Sequence, residues 1–461
     1  MNFYFVFIPF PAIIFLCQKL SFMKKLILIL CSAFLSSVIS AQEQGKKVWT
    51  LEECINYALQ KNIQVRKSEV ANRQYQISAG QVKAQRYPNL NASINQNFNW
   101  SKSNADLNSG FSGNNGSTYS VNSNVVLYNG LKLANEIRQS ELNVEAGKYS
   151  LETTKESISL SILNAYLQVL YAEEQVRNSE KQIESTASQV NLAAERLAMQ
   201  VISQADYAQI KSQLASEKLT LANAQNTLAI NKVNLEQLME LPVNEDFSIA
   251  HPDLSGIINQ NRVPDVSTVY DTALSIKPQI KNAAINKDIA SIDEKIARSG
   301  YFPVLSASAG VGSSFAGSVS DPYFNQLNNG LKPSLGFSLS IPIYQKNQVK
   351  SGVELAKLGY TDAELSELDT RNALRKSIEQ ACQDVSSAQI RYEASLENFN
   401  ATNESAALSD EKFIQGVINS TDYLVSKTNL IVAESELLQS KFNLIFSYKV
   451  LDFYMGIPLS I

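Results

Sequence analysis

Histidine is almost missing from this chain: His251 is the single one in 461 residues. Beside Pro252, in a segment that reads as a loop, it can anchor no metal cluster and belongs on the surface. Cysteine is scarce too, with only Cys17, Cys31, Cys54 and Cys382. Charged residues make up 18% of the chain and leave a net charge of −4, so the basic stripe that nucleic-acid binding requires is absent. No nucleophile with a base, no metal-ligand cluster and no phosphate loop can be assembled, which argues against an enzyme and against any cofactor. Five methionines and one histidine also argue against a dedicated soft-metal carrier. The abundant Asn, Gln, Ser and Ala suit long polar helices and a wet pore better than a compact catalytic domain.

The amino terminus reads as an export signal over 1–41. Lys24-Lys25 precede an apolar run, Leu26–Ile39, which ends at the small pair Ser40-Ala41 before Gln42-Glu43-Gln44. The run is short for a membrane span, and Met23 is its natural start. Residues 1–22 add a second apolar run, and the two together could form a retained anchor. Gln18, Lys19 and Ser21 separate them and argue against one continuous helix. Neither Cys17 nor Cys31 sits where a lipid-anchor signal needs it. Cleavage after Ala41 would leave Cys54 and Cys382, too few for a disulfide framework, although one bridge stays open.

The rest of the chain is written twice. Glu195, Val201-Ile202 and Asp206-Tyr207 recur as Glu411, Val417-Ile418 and Asp422-Tyr423, an offset of 216. The same offset relates Ile162 to Ile378, Tyr128 to Tyr344 and Pro242 to Pro458, while upstream it is 215, as for Pro88 and Pro303. The expected division is a first repeat over 42–242, a linker rich in Asn, Asp and Pro over 243–266, and a second repeat over 267–461. Each repeat should hold a short helix (51–61; 266–276), a longer one ending near Arg86 or Gly300, two strands, and a helical hairpin (131–242; 347–458). Ile162, Val169, Val176, Ile183, Val190 and Leu197 recur every seventh residue, as do Tyr207, Leu214, Leu221, Leu228 and Leu235 on the returning helix. That is the seam of a coiled coil. From Lys132 to Met199 is about 68 residues, or roughly 100 Å of helix. Helices of that length cross a gap rather than enclose a pocket.

The strands are expected at 88–100, 119–128, 303–315 and 334–344. Leu90, Ala92, Ile94, Phe98 and Trp100 alternate with Asn and Ser; so do Leu335, Phe337, Leu339, Ile341 and Ile343 with Ser and Gly. A period of two with aromatic residues at the strand ends is the pattern of membrane β-strands with an apolar outer face and a polar lumen. A half-buried soluble sheet alternates in the same way. Polar loops at 101–118 and 316–332 suit the outward end of a barrel. Four strands cannot close, and an open edge in lipid leaves backbone groups unpaired, so the chain must oligomerise. Two copies would give eight strands and a filled barrel; three would give twelve and leave room for a pore.

The duplicated unit and two hairpin tips carry a resemblance. The second tip, Gly416-Val417-Ile418-Asn419-Ser420-Thr421-Asp422-Tyr423-Leu424, resembles the tip motif of the TolC-like outer-membrane efflux family. The first, Gln200-Val201-Ile202-Ser203-Gln204-Ala205-Asp206-Tyr207-Ala208, lacks the glycine and the leucine. The resemblance covers about 49–459. It implies an α+β membrane protein: a homotrimer with a twelve-stranded barrel in the outer membrane lipid, continuous with a periplasmic α-helical tunnel. It further implies that residues 200–203 and 416–419 dock a periplasmic membrane-fusion adaptor and, through it, an inner-membrane pump, and that Asp422 and Asp206 line the periplasmic gate. A second family aspartate is Val425 here, and a basic position is Ile418, so the gate has fewer polar locks. Ser203 and Asn419 are also good N-caps with Asp206 and Asp422 three residues on, so both aspartates have a plain capping role open to them. The leading function is a passive exit duct for efflux or type I secretion. The alternative is a periplasmic adaptor without a pore.

Overall fold

The computed structural model describes residues 48–101, 112–242, 247–258 and 264–460; the expected export signal at 1–41 lies outside the described residues. The first repeat runs β1 (Val48–Trp49), α1 (Leu51–Lys61), α2 (Ile63–Ala84), β2 (Asn91–Ser101), β3 (Ser112–Asn129), α3 (Lys132–Ala198) and α4 (Gln204–Met239). Then come β4 (Ser248–Ile249) and α5 (Ser255–Ile258). The second repeat runs α6 (Val266–Ile276), α7 (Pro278–Arg298), β5 (Val304–Ala316), α8 (Tyr323–Asn329), β6 (Lys332–Ser340), α9 (Gln348–Ile414) and α10 (Ser420–Tyr454). Two compact units result. In the small one β1 and β4 pair in parallel, Trp49 and Phe247 place their rings 6.5 Å apart, and Ala250 N–H donates to the Trp49 carbonyl. All other elements named here belong to the large unit.

The duplication is written into the backbone. Among the described residues, positive φ occurs at Gly130 and Lys346, Leu131 and Asn347, Gln200 and Gly416, and Glu240 and Gly456. These are four pairs, all at the 216-residue offset. The same bend therefore opens each long helix, turns each hairpin and ends each repeat, even where the residue is not glycine and pays steric strain for it.

α3 and α9 have 67 residues each, about 100 Å at ~1.5 Å per residue. Ile162 and Val169, and their counterparts Ile378 and Val385, are fully buried in the seams with α4 and α10. Towards the tips the seam is half-buried. α7 packs between α3 and α9, its Ile285 and Ile292 closing on Leu142 of α3. Cys54 and Cys382 are both buried thiols with no disulfide between them, so the bridge left open by the sequence does not form.

The sheet has the order β2-β3-β5-β6, antiparallel throughout. Its register sorts side chains by face. Ala92 and Ile94 pair with Val121 and Tyr119, which pair with Val311 and Ser313; Leu305, Ala307 and Ala309 pair with Leu339, Phe337 and Leu335. One face is thus predominantly apolar and exposed. The other carries Asn91, Ser93, Asn95, Ser120, Asn122, Ser308, Gly310, Gly336 and Ser338, with Ser93 and Ser120 hydroxyls 2.7 Å apart. Three boundaries differ from expectation. β3 starts at Ser112 because Gly113 to Gly116, loop-like in composition, pair with Trp100 to Asn97. β6 stops at Ser340, and Pro342 follows with no N–H to give a ladder. The loop expected after β5 contains α8. Leu127 falls in a bulge between Val126 and Tyr128.

The joint between α6 and α7 is held by Lys277. Its buried Nζ lies 3.2 Å from Glu156 of α3 and 3.2 Å from the centroid of the Phe453 ring in α10. Burial pushes the Glu156 carboxyl up and the Lys277 ammonium down, each opposed by the other's charge. Lys277→Ala should cost about 2–3 kcal/mol in denaturant unfolding, less than the ~3–5 kcal/mol of a fully buried pair because Glu156 keeps part of its hydration.

Candidate functional site

The two hairpin tips are built on one plan. Val201 N–H reaches the Arg196 carbonyl at 2.9 Å, and Val417 N–H reaches that of Lys412 at 2.9 Å. Both helices therefore end in a six-to-one closure around a left-handed residue, Gln200 in one and Gly416 in the other. Ser203 and Asn419 then cap the returning helices, accepting from the Asp206 and Asp422 amides at 3.1 and 2.8 Å. Val201 and Val417 point outward with Met199, while Ile202 and Ile418 turn in to a cluster of Ala193, Ile210, Phe413, Tyr423 and Leu424.

That cluster makes the two tips one patch. Phe413 and Tyr423 stack with ring centroids 4.6 Å apart. Arg196 crosses from α3 to the carboxyl end of α9, donating to the Phe413 carbonyl at 2.9 Å and to the Ile414 carbonyl. A guanidinium there reaches two carbonyls of the last turn, one of which also accepts from the Gly416 amide, and faces the negative end of the helix dipole. Gln189 donates to Asp410 at 2.8 Å, and burial with Asp410 alongside holds the Tyr423 phenol far above its ordinary range. Neither the reach of Arg196 to α9 nor the bond of Ser420 to Asp206 is legible in the sequence, since the partners lie more than two hundred residues apart.

The two aspartates differ. Asp206 closes a full capping box with Ser203, and its other oxygen accepts from the Ser420 hydroxyl of the second hairpin. Those bonds, Ser203 first and Ser420 next, hold its carboxyl below the usual range. Asp422 has only its amide engaged in capping, and its side chain is exposed. So the first tip spends its carboxylate on joining the hairpins, and the second keeps its carboxylate free. Behind the patch, buried Lys427 of α10 donates to Thr186 and Ser185 of α3 at 2.8 and 3.3 Å.

Gln200 pays for a conformation that Gly416 adopts freely. Gln200→Gly should raise stability by about 1 kcal/mol in thermal or denaturant melts, and Gly416→Gln should lower it by a similar amount. Equal melts for both variants would mean that the left-handed turn carries no strain.

No helix among the described residues is long and apolar enough to cross a membrane. The outer membrane efflux protein family matches residues 54–240 and 269–456, one match per repeat. No curated protein sequence matches the chain. Solved structures with the same fold include the CmeC outer membrane channel of Campylobacter jejuni, at 16% identity and a TM-score of 0.74, covering 90% of each chain. The open state of the Neisseria gonorrhoeae MtrE outer membrane channel has 19% identity and a TM-score of 0.68, covering 89% of this chain and 90% of that one. The outer membrane protein VceC of Vibrio cholerae has 16% identity and a TM-score of 0.68, covering 88% and 94%. With both repeats matched and the fold shared along nearly the whole chain, this protein belongs to the outer membrane efflux protein family and resides in the outer membrane.

Proposed function

We propose that three copies form a passive exit duct: a twelve-stranded barrel above a helical tunnel that reaches across the periplasm. The tips at 200–203 and 416–419 dock a periplasmic adaptor, which links the duct to an inner-membrane pump of an efflux or type I secretion system. The duct carries no catalytic step. An adaptor protein would need one hairpin and no membrane strands, whereas this chain has two hairpins and a four-stranded sheet.

One observation carries the assembly. Ile285 and Ile292 of α7 are buried on Leu142 of α3. Their repeat counterparts on α2 are Val70 and Ile77, and that of Leu142 is Leu358 on α9; these are 59%, 62% and 67% exposed. The contact made inside the chain is therefore left half-made on two opposite flanks. A neighbouring copy's α9 laid on α2 completes it, head to tail, and such an interface closes into a ring. The sheet asks for the same thing, because β2 and β6 have one unpaired edge each.

With Ile77→Cys and Leu358→Cys on one chain, a short bismaleimide should give a covalent ladder ending at the trimer. The native thiols among the described residues, Cys54 and Cys382, are buried and should stay silent. Monomer alone would sink the ring. In the barrel, Ile94→Arg or Leu339→Arg should cost roughly 2–4 kcal/mol of stability in lipid, and Asn95→Arg or Ser338→Arg much less. Equal losses on both faces would mean a soluble sheet.

Asp422 is the gate residue best supported by the tip geometry, since its carboxylate is unspent and three copies would converge near the axis. A ring of negative charge favours cations. Asp422→Asn should lower cation preference in single-channel recordings and leave assembly intact. Asp206→Asn should instead loosen the joint between hairpins. Its folded pKa lies below the unfolded one, so its contribution is full above the ordinary carboxylate range and is lost as pH falls through the folded value. Unchanged selectivity in Asp422→Asn would leave that residue a helix neighbour and nothing more.

A further inference from the structure

The segment 317–331 between β5 and β6 does not lie over the polar face of the sheet. α8 packs on the apolar face. The Tyr323 hydroxyl bonds that of Tyr119, its ring lies 4.8 Å from Phe315, and the Leu327 carbonyl accepts from Ser313 at 2.6 Å. Gln326 fastens the turn, accepting from the Ala316 amide at 3.0 Å and donating to the Asp321 carbonyl at 2.7 Å. By register Tyr119, Ser313 and Phe315 all share the face of Ile94, Val311 and Phe337. Beneath the helix sits a polar pair on that face, Ser117 bonded to Gln96, and Ser117 is buried.

The helix has two sides. Tyr323, Gln326 and Leu327 face the sheet; Phe324, Asn325, Asn328 and Asn329 face away. Phe324 is 81% exposed, and Val319 and Leu331 flank it, also exposed. One aromatic ring among asparagines is too polar for hydrocarbon and suits the boundary where headgroups begin. Height agrees. From Leu305 to Ser313 is eight residues, about 27 Å of strand at ~3.4 Å each and roughly 20 Å of height at the ~40° tilt of a barrel, close to the ~25 Å apolar band. α8 therefore stands at the far edge of the band.

We propose that segment 317–331 is an interfacial anchor, with α8 seated on the outside of the barrel and Phe324 set in the headgroup layer of the outer leaflet. The inference rests on the barrel reading above. It assigns the second external loop to the lipid side, where it covers the Gln96–Ser117 pair, and not to the lumen as a plug.

Spin labels on Phe324→Cys, Phe337→Cys and Ser338→Cys test it, in the full chain reconstituted into phosphatidylethanolamine–phosphatidylglycerol vesicles. Phe324 makes its exposed side available, so the substitution leaves the contacts of α8 with the sheet intact. The Phe337 label should be reached by oxygen and shielded from a water-soluble nickel chelate, and the Ser338 label the reverse. The Phe324 label should fall between them, with a depth near the phosphate level. A Phe324 label as open to nickel as Ser338, with Phe337 still shielded, would overturn the anchor and leave the barrel standing. Equal values at Phe337 and Ser338 would overturn both.

Discussion

Backbone amides and carbonyls along the outer edges of β2 and β6 pair with no strand among the described residues, and hydrocarbon supplies no partner. Each group left so in lipid costs several kcal/mol. The alternation of faces puts apolar side chains on one surface of the sheet and Asn, Ser and Gly on the other, which in the proposed barrel would meet lipid and water respectively. A sheet placed between those media must find strands for both edges. The helical region repeats the demand in another currency: α2 and α9 each keep an apolar flank whose counterpart inside the chain is buried. In the proposed ring a head-to-tail neighbour on each side would answer both, pairing the strand edges and covering Val70, Ile77 and Leu358.

Duplication explains why this works, and the departures from it show where the repeats have separate tasks. Asn62 caps α2 and donates to the Leu238 carbonyl at 2.9 Å; its counterpart Lys277 instead buries a charge against Glu156 and Phe453. Asp206 is bonded within the patch while Asp422 is free. Gln200 and Glu240 hold left-handed backbone where the second repeat has Gly416 and Gly456. The first repeat thus carries more strain and more internal bonds at its ends.

Much of this was legible in the sequence. A helix is expected from Lys132 to Met199 and α3 runs from Lys132 to Ala198; period seven covers its distal half, Ile162 to Leu197, where a seam residue every two turns leaves no other reading. The short helices 51–61 and 266–276 stand as expected. The strand faces followed from period two. What was not legible depends on contacts across the chain. Gly113 to Gly116 become strand only because Trp100 to Asn97 lie opposite. α8 has seven residues, about two turns at ~3.6 residues each, and its identity comes from the surface it covers. The β1–β4 pair is two residues on each side. At the tips, the sequence offers both Asp206 and Asp422 a capping role, and the closed capping box with Ser203 together with the Ser420 hydroxyl separates them.

Lys427 shows why the lower seam is not simply apolar. Between heptad residues Tyr423 and Leu430 it is turned inward, against hydroxyls of Thr186 and Ser185 and near the charges of Glu217 and Asp410. Burial lowers its pKa, so the site holds the ammonium at a cost. A methionine or leucine there would bury more easily, but an apolar seam of one residue per two turns fits almost as well after a slide of one heptad. The ammonium meets Thr186 and Ser185 at one height only. A polar residue at a seam position gives up stability and fixes register. In a hairpin this long, register sets the level at which Arg196 meets the end of α9 and Ser420 meets Asp206, so the two tips can be one patch only if the seam behind them cannot slide.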